Sequence, residues 1–261
     1  MTEELQWLIG FFIALIGLSV GSFLNVVIYR LPREERLDKP SSHCTSCGHA
    51  IRWYDNIPVL SYLLLGGKCR DCKAHISIRY TLVELANLLL WICCMLKFGI
   101  TVYSGLSMLL CSLLLVIFFI DLEHQIVCDS TVIGILLVGA LMAIFCPEPV
   151  AWYDRLIGGG AAFLFFLLLF YGSQLILKKE ALGGGDVKLM GACGLALGWQ
   201  NVALGTFLGA IIGCVYLLIA SALGKLQSDK PIPFAPMLTA GVAIALFFGQ
   251  SIIGWYLGLF L

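Results

Sequence analysis

Followed from end to end, the chain alternates long uncharged apolar stretches with short polar connections and a single large polar insert. The apolar stretches are 5–29, 81–96, 101–120, 130–146, 156–177, 189–224 and a final run from 234 to the C-terminus. The stretch 189–224 is too long for one helix, and Gly198-Trp199-Gln200-Asn201 reads as a turn that divides it into a short and a full-length span. The last run carries a candidate break at Gly249-Gln250-Ser251. A helix rises about 1.5 Å per residue and the hydrocarbon core is about 30 Å thick, so about 20 residues cross it. The pattern predicts an all-α polytopic membrane protein with about eight transmembrane helices. It divides into a first transmembrane helix (1–30), a cytosolic insert (31–80) and a transmembrane core (81–261).

Composition agrees. Sixty per cent of residues are hydrophobic and twelve per cent charged, with a mean hydropathy of +0.97, far from the soluble norm. So little polar surface cannot cover so much apolar surface, so lipid is the solvent for most of the chain. The start, Met1-Thr2-Glu3-Glu4, is acidic where a secretory signal is basic, and the first span reads as retained. No nucleic-acid partner is expected, and oligomeric state is not legible.

Lys and Arg set the orientation. Nine of the sixteen lie from Arg30 to Arg79, and Lys178, Lys179, Lys188, Lys225 and Lys230 follow in later connections. Eight spans alternating from an outside N-terminus gather these fourteen on one side, leaving Lys97 and Arg155 on the other. The positive-inside rule makes the crowded side cytoplasmic. The connection 121–129 and Asp186 fall on that side as well.

The insert carries Cys44-Thr45-Ser46-Cys47 and Cys69-Arg70-Asp71-Cys72, two C-x-x-C knuckles with 21 residues between them. This is close to the two-knuckle zinc pattern. Zinc takes four tetrahedral thiolate or imidazole ligands, and the reducing cytosol favours metal over disulfides. Cys44, Cys47, Cys69 and Cys72 are therefore the expected Zn²⁺ ligands, with His43, His49 and His75 as substitutes in reserve. So small a region buries little core, and the metal would supply folding free energy. The other seven cysteines have no ligand spacing and read as small hydrophobes.

Asp121 and Asp186 each stand where an apolar stretch meets the cytoplasmic side. Carboxylates at a bilayer edge are costly and usually functional. Glu123 and Asp129 compete with Asp121 in the same connection, and Asp129 also suits a helix cap. Gly183, Gly184 and Gly185 before Asp186 permit a tight backbone approach, and the helix that follows is short, so either that helix is recessed or Asp186 sits below the membrane surface. Two carboxylates sharing a site hold one proton and titrate as a unit. One can activate water while the other donates to a scissile carbonyl. No G-x-S-x-G, H-E-x-x-H or P-loop competes with this chemistry. A transporter's proton relay would place carboxylates at mid-span among helical repeats, and neither is seen.

Four motifs together resemble those of the type IV prepilin peptidases, GxGD membrane aspartic proteases. They are Gly21-Ser22-Phe23-Leu24-Asn25, continuing to Arg30-Leu31-Pro32; Cys47-Gly48-His49, continuing to Asn56-Ile57-Pro58; Ile120-Asp121-Leu122-Glu123-His124-Gln125; and Gly183-Gly184-Gly185-Asp186-Val187-Lys188-Leu189. The resemblance covers nearly the whole length. It implies that Asp121 and Asp186 are the catalytic pair, with Gly183, Gly184, Gly185 and Lys188 as the supporting motif. It implies removal of a short basic leader from prepilins or pseudopilins at the cytoplasmic face of a bacterial inner membrane. It also implies methylation of the new N-terminus with S-adenosylmethionine. Cys128, Thr81 and Ala235 depart from residues usual in the family, none at a catalytic position. For the methyl donor no glycine fingerprint is present; Glu84 is a candidate, weighed against a buried polar group bonded to neighbouring helices. Trp53 and Tyr54 are weighed as pocket walls against interfacial anchors, and Asn25, in line with Gly17 and Gly21, as a packing residue. Two other functions fit part of the pattern. One is a presenilin-like intramembrane protease; the other is a non-enzymatic zinc-bearing scaffold of a pilus or secretion assembly.

Overall fold

The computed structural model describes residues 3–38, 42–178, 182–224 and 233–259. Lys39, Lys179, Lys225 and Lys230, which enter the charge count, lie outside the described residues. Among those described the structure is helical with no strand. The helices are α1 (Glu3–Arg30), the short α2 (Leu60–Leu64), α3 (Arg79–Phe98), α4 (Val102–His124), α5 (Asp129–Phe145), α6 (Trp152–Leu177), α7 (Gly184–Leu197), α8 (Trp199–Ala222) and α9 (Ala235–Leu257). Six of them, α1, α3, α4, α6, α8 and α9, are long and apolar enough to cross a membrane. The other two apolar helices are shorter, α5 with 17 residues and α7 with 14. At 1.5 Å per residue α7 is about 21 Å long, less than a bilayer core. The expected eight crossings are thus eight apolar helices, of which six have the length and composition to span.

The chain forms two compact units, Met1–Ile100 and Thr101–Leu261. In the first, α1 and α3 lie antiparallel. Gly10 meets Met95, Gly17 meets Trp91 and Gly21 meets the Glu84 backbone, so partners descend along one helix as they climb the other. A Cβ at Gly21 would stand 2.8 Å from the Glu84 Cα, and the helices can approach this closely only without one. The Asn87 amide donates to the Gly17 carbonyl (2.7 Å) and the Asn25 amide to the Tyr80 carbonyl (2.9 Å). Asn25 thus packs α1 on α3, as its alignment with the two glycines suggests.

In the second unit α7 is the hub, packed against α5 and α6, while α8 pairs with α9 and α4 lies against α5 and α9. The backbones of Gly158 in α6 and Gly194 in α7 are in direct contact, and a Cβ at either would overlap the other. Lipid offers helices no hydrophobic drive to associate, so close backbone approach supplies the packing. Gly205 and Gly209 of α8 meet Gly241, Val242 and Leu238 of α9 in the same way. Gly198, at φ +81°, makes the expected turn between α7 and α8. The candidate break at Gly249-Gln250-Ser251 is absent: α9 runs through it unbroken, with Gly249 packed against the Asn201 side chain.

Candidate functional site

Asp121 lies in the last turn of α4, which runs on to His124 and closes on Gln125 in the left-handed region. That extra turn points its carboxylate inward, and the residue is 6% exposed. Its carboxylate accepts the backbone N–H of Ala235. Ala235 opens α9, with Pro236 in the first turn, and the first N–H groups of a helix have no partner within it. The α9 N-terminus thus brings a free donor and partial positive charge to a buried carboxylate.

Asp186 is built from its own helix. It is the third residue of α7 and 7% exposed. Its carboxylate accepts the Gly183 N–H (3.3 Å), and its own N–H donates to the Gly183 carbonyl (3.1 Å). Gly185 must be small because a Cβ there would stand 2.7 Å from that of Val127, in the connection after α4. The α4–α5 connection is therefore pressed against the start of α7. With Gly185 against Val127, six residues after Asp121, the two buried carboxylates, 65 positions apart in sequence, come within electrostatic reach of each other at one end of the second unit.

The neighbouring acidic residues differ from this pair. Glu123 is exposed. Asp129, the first residue of α5 rather than its cap, is exposed and paired with Lys188 at 2.8 Å. Lys188 thus joins the starts of α5 and α7.

At the opposite end of α7 the sequence reading missed a residue. Arg155 is fully buried, its guanidinium donating to the carbonyls of Ala196, Val150 and Cys146. It closes the C-terminal ends of α5 and α7, where free carbonyls and the negative end of the helix dipole favour a cation. The charge count treats Arg155 as a loop cation, and no local motif in the sequence distinguishes it. In the sequence Ala235 stands out only as a departure from a family pattern; Pro236 beside it is the signal for a helix start with donors to give.

In the first unit the four sulfurs of Cys44, Cys47, Cys69 and Cys72 lie within 4.8 Å of one another. The separation of Cys44 Sγ from Cys72 Sγ is 3.8 Å. A tetrahedron with Zn–S bonds of about 2.3 Å has edges of about 3.8 Å, so the thiols fit zinc. The two knuckles repeat one design. Cys44 N–H donates to the His49 carbonyl and Cys69 N–H to that of Ala74, with Gly48 and Lys73 in the left-handed region at matching positions. The Cys47 and Ser46 N–H groups bring the Cys44 thiol down to about 6. Cys47 is offered the His49 N–H, yet desolvation and its neighbours Cys44 and Cys72 push it up to about 11. Gathered thiolates repel, and a dication relieves that repulsion. Arg70 forks onto both carboxylate oxygens of Asp55 (2.6 and 2.8 Å), tying the second knuckle to the turn Trp53–Asn56. Trp53 is 80% exposed, as an anchor would be. Glu84 is 8% exposed on α3 and accepts the Val59 N–H at 2.7 Å.

The fold and its motifs define a polytopic helical membrane protein carrying an insert with two paired cysteine knuckles. Residues 15–98 match the model of the bacterial peptidase A24 N-terminal domain, and residues 108–218 match that of the type IV leader peptidase family. The chain is 39% identical to a prepilin leader peptidase/N-methyltransferase of Pseudomonas aeruginosa, over 93% of this chain and 91% of that protein. It is 40% identical to one of Myxococcus xanthus (89% and 71%) and 36% identical to one of Aeromonas hydrophila (100% and 98%). No solved structure matches it. The chain belongs to the type IV leader peptidase family.

Proposed function

We propose that this protein removes the basic leader from type IV prepilins or pseudopilins and methylates the N-terminus so exposed. The observation that carries the first activity is the pair Asp121 and Asp186, buried at one end of the second unit and close enough to feel each other's charge. One carboxylate takes a proton from water as the water oxygen attacks the scissile carbonyl carbon. The other carboxyl gives its proton to the carbonyl oxygen. Collapse of the tetrahedral species breaks the C–N bond and a proton passes to the leaving amine, so one water is consumed and the pair returns to its starting state. The backbone donors of Ala235 and Gly183 hold the two side chains in place, and Gly185 lets α7 start against Val127. Lys188, through Asp129, braces the starts of α5 and α7.

The fourteen clustered Lys and Arg support an inner-membrane orientation with this end facing the cytoplasm, where a basic leader waits. Cys44, Cys47, Cys69 and Cys72 would hold a structural Zn²⁺. S-adenosylmethionine, when bound, supplies an electrophilic methyl group to the new amine.

A synthetic prepilin incubated with the purified protein tests both activities by mass, as loss of the leader and gain of about 14 Da. Asp121→Asn and Asp186→Asn keep shape and remove the shared proton. Each is expected to lower cleavage by about 10²–10⁴-fold at unchanged melting temperature. Cleavage at wild-type rate in either variant rules out the pair.

A further inference from the structure

We propose that a cavity within the first unit seats the methyl donor, with Glu84, Asn25 and Thr81 receiving the hydrogens of its ammonium group. The proposal rests on the methylation half of the function above. The cavity holds about 370 Å³, in the range of small-molecule sites. Its walls come from α1, from α3 and from the insert.

Five buried polar side chains line it, Asn25, Arg30, Ser61, Thr81 and Glu84, and three of them lie together as acceptors. Asn25 is 4% exposed, and Thr81 and Glu84 are each 8% exposed. The Asn25 Oδ1 and the Thr81 Oγ1 have no hydrogen-bond partner among the described residues. The orientation of the Asn25 amide is settled by its nitrogen, which donates to the carbonyls of Tyr80 and Gly21. Its oxygen is therefore the end left over. Glu84 spends one oxygen on the Val59 N–H and takes a hydrogen bond from Ser22. A carboxylate has about four acceptor positions, so capacity remains.

Buried acceptors without donors are rare, and each asks for an explanation. Here two such oxygens adjoin a carboxylate around one cavity, and all three want hydrogens. A carboxylate out of water also wants positive charge. An ammonium group meets both needs with three N–H donors and one charge. The same cavity is lined by Arg30, which also donates to the Arg36 and Leu37 carbonyls, and by Arg52, which also donates to the Tyr54 hydroxyl and pairs with Asp71. A guanidinium carries five donors and is the natural fork for a carboxylate. Arg30 lies five residues beyond Asn25 on α1, about 7.5 Å toward the insert. Acceptors and guanidiniums at that spacing suit an amino-acid zwitterion, the part of S-adenosylmethionine that 5′-methylthioadenosine lacks. Tyr29 and Tyr62 also line the cavity.

The test measures binding of labelled S-adenosylmethionine to the full-length protein in nanodiscs by equilibrium dialysis. Glu84→Gln keeps the acceptor for Val59, and Thr81→Val changes one hydroxyl for a methyl. Each is expected to weaken the donor at least tenfold. The methylated fraction of the cleaved product should fall in parallel, while zinc content and melting temperature hold. 5′-Methylthioadenosine, which has neither ammonium nor carboxylate, should weaken less than threefold. Donor binding within twofold of wild type in both variants overturns the cavity assignment. Equal losses for both ligands overturn the ammonium placement. A wild-type protein that neither binds the donor nor methylates its product removes the methylation reading itself, a separate result.

Discussion

In the second unit helices close until backbone touches backbone. Gly158 meets Gly194, Gly241 meets Gly205 and Gly209, and ten of the fourteen residues of α7 are buried. The insert of the first unit has nothing comparable: between 42 and 78 the buried residues are Ser61 and Gly67. Four thiols, one forked Arg70–Asp55 pair and two matching turns hold its form. A segment in lipid is kept together by shape, and a small segment in water by bonds that it must bring with it. Each unit should therefore fail under a treatment that the other survives.

Metal removal is expected to have the largest effect. Zinc binding to such knuckles is worth on the order of 10 kcal/mol, more than an insert without an apolar core can spare. Chelation, or Cys44→Ser with Cys72→Ser, should open residues 42–78 to protease while the helices of the second unit melt as before. An insert that stays protected with no bound zinc would sink the assignment. The converse variant is Gly194→Val, where even the first added carbon overlaps the Gly158 backbone. Overpacking costs about 1–3 kcal/mol where side chains can yield, and a backbone neighbour yields less. We expect a loss of about 3 kcal/mol or more in the second unit, read by denaturant titration in micelles, with zinc stoichiometry unchanged.

The sequence made some of this legible for reasons that are themselves physical. Charge-free runs have to be helices in lipid, so elements and order were readable. Thiol spacing reports a local turn, so the knuckles were readable too. Asp121 and Asp186 stood out because charge is rare beside such runs. Their convergence depends on how α4, α7 and α9 pack, which no spacing reports. Arg155 shows the same limit: its partners Cys146 and Ala196 lie 9 and 41 positions away, and composition cannot tell a buried cation from a loop cation. The repeat of Gly205, Gly209 and Gly213 at four-residue intervals was a readable signal for the α8–α9 seam.

Acid should separate the units more gently. The Arg70 guanidinium beside Asp55 holds its carboxyl below the usual carboxylate range. A depressed carboxyl stabilises the fold at every pH above its unfolded value, about 3.9, and loses that contribution as pH falls through the folded value. Acid also displaces metal from thiolates, so the wild type must be compared with Asp55→Asn. The wild-type insert should resist protease better at neutral pH, and the difference should shrink below about pH 4. A difference that persists at pH 2 would mean that Asp55 acts by packing and not by charge.

The smallest effect tests whether polar bonds matter to the second unit at all. Lys188 and Asp129 meet at 2.8 Å, yet their side chains are 54% and 68% exposed. Exposed pairs contribute about 0.2–1 kcal/mol in double-mutant cycles, less in salt. Cycles built on Lys188→Ala and Asp129→Ala should return a coupling in that range that fades at high ionic strength. A coupling above about 2 kcal/mol, insensitive to salt, belongs to a desolvated pair. That result would move the end of the second unit from the lipid-like regime of shape toward the bonded regime of the insert, and would make Lys188 part of what fixes α7 beside Asp121.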